Sequence, residues 1–264
     1  MDRRVRIFGI PQAGKTVYLS VLFGEIDRYG FENYILDMRD HADSMDYLSM
    51  VLEDLVLQGS TFSTPERQFK ELNMKLSYQE DGKVKTAALI STYDLSGEDI
   101  NIIFDARFHS QIRKSIIPPE FKESQKKIMN MLYTGDCFIL LVDPNPIGST
   151  FDDQDTMFTI ILRIIKKNKG KRKSQKDKRY GIVEGIKIAF CISKSDLIDI
   201  PDAREFVEQK MPFTYKYLEI NFKNNFKCIP ISSLGYNAET RQYPMKENIR
   251  PINVLEPLRF FLDK

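Results

Sequence analysis

Gly9-Ile10-Pro11-Gln12-Ala13-Gly14-Lys15-Thr16 satisfies the pattern GxxxxGK[ST] at every fixed position. Each fixed residue has a physical reason. Gly9 and Gly14 allow backbone torsions and a close approach that a side chain would block. The N–H groups of Gln12, Ala13 and Gly14 through Val17 then converge on one point, backed by the positive end of a helix dipole. That point suits a β-phosphate. The Lys15 ammonium is expected between the β- and γ-phosphates, and the Thr16 hydroxyl on Mg²⁺. A chance match in a chain of this length arises roughly 1% of the time at average residue usage. The context adds to the match, because the loop should lie between a strand and a helix. Val5–Ile10 reads as a short buried strand ending at Pro11. Thr16–Ile26 reads as a helix, with Tyr18, Leu19, Leu22, Phe23 and Ile26 on helical spacing.

Farther out, the stretch from about Asp46 to Leu57 has helical periodicity, and Gly59 is its stop signal. Phe69–Tyr78 and Lys85–Asp94 alternate like strands around Glu80-Asp81-Gly82, where Asp-Gly favours a tight turn. They are expected to form strands two and three, as an antiparallel hairpin. Gly97–Pro118 shows no clean period. Pro119 is expected to open a helix running to about Leu132, with Phe121, Ile128, Met131 and Leu132 inward. Cys137–Val142 (CFILLV) is wholly apolar, the pattern of a strand buried on both faces. A helix at Asp155–Ile165, a strand at Ile186–Ile192, a short helix at Asp202–Lys210, a strand at Lys227–Ile231 and a closing helix at Asn253–Leu262 complete the reading. Strand and helix alternate. The expected fold is therefore α/β: a three-layer P-loop NTPase fold, its sheet mainly parallel with one antiparallel edge hairpin and helices on both faces. Residues 1–264 are read as a single domain, with an enlarged segment at about 28–68 and a basic loop at about 166–180.

Composition narrows the setting. The chain has 264 residues, is 42% hydrophobic and carries a net charge of +2. It is therefore not a general polyanion binder. Its three cysteines lie in or beside apolar runs and form no CxxC pair, and there are only two histidines. Buried thiols are the reading, not a zinc site or a disulfide frame. Apolar runs are far shorter than the ~20 residues of a membrane span. The first residues lack the apolar core of a secretory signal. These features fit the reducing cytoplasm.

Three later segments complete a site. Asp94-Leu-Ser-Gly97 ends the hairpin; a carboxylate there holds the Mg²⁺ shell and the Gly97 N–H meets the γ-phosphate. Ser193-Lys194-Ser195-Asp196 follows an apolar strand. The Asp196 carboxylate can accept from both N1–H and N2–H of guanine, and the Lys194 stem can lie over the base. Ser232-Ser233-Leu234-Gly235 follows the last strand and aims the Ser233 N–H at guanine O6. These segments, in this order, resemble the Ras-like translation-factor class of P-loop GTPases across nearly the whole chain. Ser193 stands where that class has Asn or Thr, and Ser232-Ser233-Leu234 where it has Ser-Ala-Lys. The stretches GKTVYLSVL, DLSGED and PINVLEPLRFFL resemble, more narrowly, the prokaryotic double-GTPase group, associated with conflict and defence gene systems.

The resemblance implies GTP and GDP as ligands, Mg²⁺ as cofactor, and hydrolysis. Lys15, Glu98 and Thr64 are the catalytic candidates; Thr16, Thr64 and Asp94 are the metal ligands. Glu98 occupies the place where Ras-like proteins orient water with Gln. Its charge is repelled by the γ-phosphate, so slow intrinsic turnover is expected. Thr64, with Thr61 as the alternative, is the first-switch threonine. No arginine stands just before Thr64, and Arg67, Arg107 and Arg113 have no assigned role. An activating protein supplying arginine in trans, a protein effector and a homodimer are the partners this implies. Two other readings remain open: an interaction module that binds GTP with little hydrolysis, and a P-loop ATPase or kinase. Lys166–Arg179 holds nine Lys/Arg and one Asp, a net +8 that leaves the remainder near −6. Nucleic-acid backbone or an anionic membrane would suit it. A solvated loop is the favoured reading.

Overall fold

The computed structural model describes residues 2–58, 70–94, 117–146, 148–169, 183–235 and 249–263. Seven strands form one sheet: β1 (Arg3–Gly9), β2 (Tyr34–Asp37), β3 (Lys70–Glu80), β4 (Lys83–Asp94), β5 (Cys137–Val142), β6 (Lys187–Ile192) and β7 (Phe226–Pro230). Their order is β2-β3-β4-β1-β5-β6-β7. β1 pairs in parallel with β4 and β5, and β5, β6 and β7 continue in parallel. Only β3 runs the other way, against β2 and β4. The helices are α1 (Lys15–Tyr29), α2 (Ala42–Gln58), α3 (Glu123–Thr134), α4 (Phe151–Lys169), α5 (Ala203–Lys210), α6 (Pro212–Asn221) and α7 (Glu256–Leu262). The expected α/β architecture, with helices on both faces, is the one observed.

β1, β5 and β6 are buried almost end to end because helices cover both sides, which is why β5 and β6 read as apolar runs; β1 also buries Arg6, whose guanidinium donates to the Ser91 hydroxyl at 2.7 Å. On one face α1 packs with α2; the Cβ that Gly24 lacks would stand 2.5 Å from Leu52 Cδ2. Leu48, Val51 and Leu55 of α2 are buried. The enlarged segment thus extends the core with a helix. On the other face α4 covers β6, with the Phe158 and Phe190 rings edge to face at 5.2 Å.

Four features differ from the sequence reading. β2 adds a short strand outside the hairpin, so the hairpin strands are third and fourth. At four residues, β2 is too short to display a period. Its Asp37 carboxylate is gripped by Arg39 and Lys75, each at 2.9 Å, which holds it well below the usual carboxylate range. Pro119 does not open α3. It lies in a turn closed by Phe121 N–H donating to Pro118 O, and the helix starts at Glu123. Asn253 does not start α7; it takes a positive φ of 56° and the helix begins at Glu256. Finally, α6 went unread. Its N-terminal amides at Phe213 and Thr214 donate to the buried Asp155 carboxylate of α4, at 3.0 and 2.7 Å. That cap is 58 residues away in sequence.

Two stability outcomes follow. Asp155→Ala should lower unfolding free energy by about 1–3 kcal/mol, because it orphans two amides; chemical denaturation measures it. For Asp37 the folded carboxyl titrates below the unfolded value of 3.8. Its contribution is present above that pH and is lost as pH falls through the folded value. Asp37→Asn should flatten this acid limb in a pH series of thermal melts, and an unchanged limb would refute it.

Candidate nucleotide-binding site

The parallel register brings the C-terminal ends of the strands to one edge of the sheet. Gly9 lies opposite Leu141, Val142 opposite Ile192, and Ile192 opposite Pro230. The loop 9–16 and the segments after β5, β6 and β7 therefore emerge side by side. β4 ends at Asp94 on the same edge, tied to β1 by the Thr92 hydroxyl donating to Ile7 O at 3.2 Å.

The loop turns through two residues at positive φ, Gln12 (64°) and Gly14 (84°). Gly9 needs its hydrogen for a different reason. A Cβ there would stand 2.8 Å from the Leu141 carbonyl oxygen and 3.2 Å from the Ala13 Cβ. Gly14 caps α1 without a side-chain bond, and α1 has no acidic residue in its first turn. The first intrahelical bond runs from Tyr18 N–H to Gly14 O at 2.7 Å, so the amides of Lys15, Thr16 and Val17 precede it. That end of the helix attracts an anion. Lys15 is only 6% exposed. Its ammonium donates to Gly9 O at 3.1 Å and Ile10 O at 3.0 Å, carbonyls of the same loop. Thr16 is half-buried beside it.

The second half of the site is built after β5 and β6. The Ser193 amide and hydroxyl both donate to Val142 O at 2.8 Å. Serine in place of the class residue thus still bridges two segments, but here it bridges β6 to β5. Lys194 adopts φ 50°, and its ammonium lies 2.6 Å from the Asp143 carboxylate, which is buried. The Gln154 side chain clamps the Asp143 backbone with two bonds of 2.9 Å. Asp196 sits half-exposed on a single 3₁₀ turn, and among the described residues its carboxylate has no hydrogen-bond partner. Ser195 N–H donates to Ile231 O, so the β6 and β7 segments are joined. Ser232 is buried and its hydroxyl accepts from Gly235 N–H at 2.8 Å; Ser233 follows, half-buried.

A strap from the far end of the sequence closes the arrangement. Ser232 and Ile252 exchange backbone bonds, Asn253 Nδ2 donates to Pro230 O, and the Tyr18 hydroxyl of α1 donates to Val254 O at 3.0 Å. Burial pushes the Tyr18 hydroxyl well up, so it stays a donor. The structure thus brings Gly9, Gln12, Ala13, Gly14, Lys15, Thr16 and Val17 to the same sheet edge as Lys194, Asp196, Ser232 and Ser233. Thr61, Thr64, Arg67, Gly97, Glu98, Arg107 and Arg113 lie outside the described residues, as does the Asp94 side chain. Most of the basic run lies outside them too. Sequence reasoning missed Asp143, Gln154 and Tyr18. The Asp ending CFILLVD was a signal, because a carboxylate directly after a buried parallel strand lies at this edge.

The glycine-bearing loop at the end of β1 and the Lys-x-Asp segment at the end of β6 thus lie on one edge of a mainly parallel sheet. The profile of the Double-GTPase 1 family matches residues 6–254, and the chain belongs to that family. No curated protein matches the sequence. Among solved structures, the chain is similar to the Arl6 (BBS3) small GTPase from Trypanosoma brucei with a bound nucleotide analogue, GppNp. Identity is 11% and TM-score 0.39, over 90% of this chain and 92% of that one. It is also similar to the Ski7 GTPase-like domain of S. cerevisiae bound to GTP, at 14% identity and TM-score 0.40, over 98% of this chain and 50% of that one.

The two loop glycines should fail differently. Gly9→Ala forces a Cβ against the β5 backbone and should cost about 1–3 kcal/mol. Gly14→Ala meets no atom within 4 Å but must hold a left-handed conformation, costing about 1–2 kcal/mol. Thermal melts check both, and a neutral Gly9→Ala would refute the close approach.

Proposed function

We propose that this protein binds Mg-GTP at the Gly9–Thr16 edge, hydrolyses it slowly and acts as a nucleotide-dependent switch. One observation carries the reading: the phosphate loop and the Lys194–Asp196 segment share a sheet edge in a Double-GTPase 1 chain. Residues 1–264 act as one GTPase domain.

The amides from Gln12 to Val17 receive the phosphates. Lys15 exchanges two loop carbonyls for phosphate oxygens, so the ammonium moves from one desolvated set of acceptors to a more negative one. Hydroxyl and carboxylate oxygens are the ligands a hard cation such as magnesium takes, and the Thr16 hydroxyl lies half-buried in the first turn of α1. Thr16, Asp94 and Thr64 would hold the ion, which neutralises phosphate charge. Gly97 N–H meets the γ-phosphate. On the base side, Asp143 holds the Lys194 ammonium aside so that the methylene stem faces guanine. The open Asp196 carboxylate accepts from N1–H and N2–H, and Ser232 shapes the turn that presents the Ser233 N–H. Glu98 orients the attacking water against the repulsion of its own charge. A protein partner that supplies arginine, or a second copy, would relieve that repulsion. The double-GTPase resemblance favours a cytoplasmic role in a bacterial conflict or defence system, with an effector gated by the GTP state.

Two measurements test this. Wild type should bind GTP at least tenfold more tightly than ATP, and Asp196→Ala should erase the preference. Equal affinities would point to an ATPase or kinase. Turnover should be slow and should fall further in Glu98→Ala. Rapid turnover of the isolated protein contradicts the switch; binding with no turnover in either form makes it an interaction module.

A further inference from the structure

We propose that the outer face of α4 and α6 docks on an anionic membrane surface. The two helices lie side by side and parallel, joined from Asp155 and Thr214 at one end to Lys166 and Asn221 at the other. Phe213 and Ile220 of α6 are 73% and 59% exposed. Seven residues apart, they lie on one side of the helix. Tyr217 stands between them, with the Arg163 guanidinium 6.0 Å and the Lys166 ammonium 5.9 Å from its ring centroid. Lys216 is exposed on the same helix. The acidic side chain of α6, Glu219, is engaged by Arg204 and Tyr215. Protruding apolar side chains among cations are the composition of an interfacial docking face.

Charge selects the occupant. Besides Arg163 and Lys216, the last turn of α4 carries Lys166, Lys167 and Lys169. A second copy would meet like charge. Nucleic acid would satisfy the cations, but phosphate gives Phe213 and Ile220 nothing apolar to enter, and Ile220 has no ring to stack on a base. A bilayer with anionic lipid satisfies both sets at once. No helix among the described residues is long and apolar enough to cross a membrane, so the contact lies at the surface.

The test is co-sedimentation of the full chain with phosphatidylcholine vesicles, with and without phosphatidylserine. The chain should sediment with the phosphatidylserine vesicles alone, and salt should release it. The double variant Phe213→Ser/Ile220→Ser should lower partitioning about tenfold or more. Arg163→Glu/Lys216→Glu should lower it at least as much. Both variants should keep the wild-type thermal melt, because the changed side chains are exposed. Equal binding to both vesicle types, or no binding to either, overturns the proposal. So does undiminished binding of Phe213→Ser/Ile220→Ser, which would assign the contact to charge alone. Binding to a short DNA duplex without binding to phosphatidylserine vesicles would assign the face to nucleic acid.

Discussion

The backbone of β1 meets the backbone of β5 at Gly9, and the rest of the arrangement depends on that contact. A hydrogen faces the Leu141 carbonyl where any side chain would collide. Because the strands can close there, the chain can turn sharply through Gln12 and Gly14 and start α1 at Lys15. The uncapped amides of α1 then face the space above β1. β1 is also the strand from which the chain departs to either side, with β4 on one flank and β5 on the other. A crevice at such a point is where open α/β sheets bind ligands.

The two lysines at this sheet edge are held in different ways. Lys15 is buried and donates to two carbonyls of its own loop. Asp143, itself fixed through its backbone by Gln154, ties down the Lys194 ammonium and leaves Asp196 open. One lysine is held by neutral carbonyl oxygens and the other by a carboxylate.

Much of this was legible in the sequence because it is local. A strand, a glycine-bearing loop and a helix within the first thirty residues announce themselves by spacing, and CFILLV announces a strand covered on both sides. What escaped was held by distant partners. β2 is a strand because β3 lies alongside it, not because four residues have a pattern. α6 hides its polar Thr214 against Asp155 and Thr159 and shows Phe213 and Ile220 to solvent, so its periodicity is inverted. Pro119 carried a genuine helix-start signal but sits in a turn instead. In the site, the residue types chosen from the motifs share one edge. The residues that orient them, Asp143, Gln154 and Tyr18, belong to no motif.

The strap from Ile252 to Val254 has a consequence for the order of assembly. Tyr18, two positions beyond the phosphate loop, is anchored to a carbonyl 236 residues later. Ser232 waits for the same late segment. The loop is encoded early, yet the Tyr18 bond of its helix forms only once residue 254 has been brought back across the sheet. Contacts of such separation slow the search for the native state. The pocket that would receive nucleotide is thus joined across 236 residues, so a nascent chain holds the motif before it holds the site.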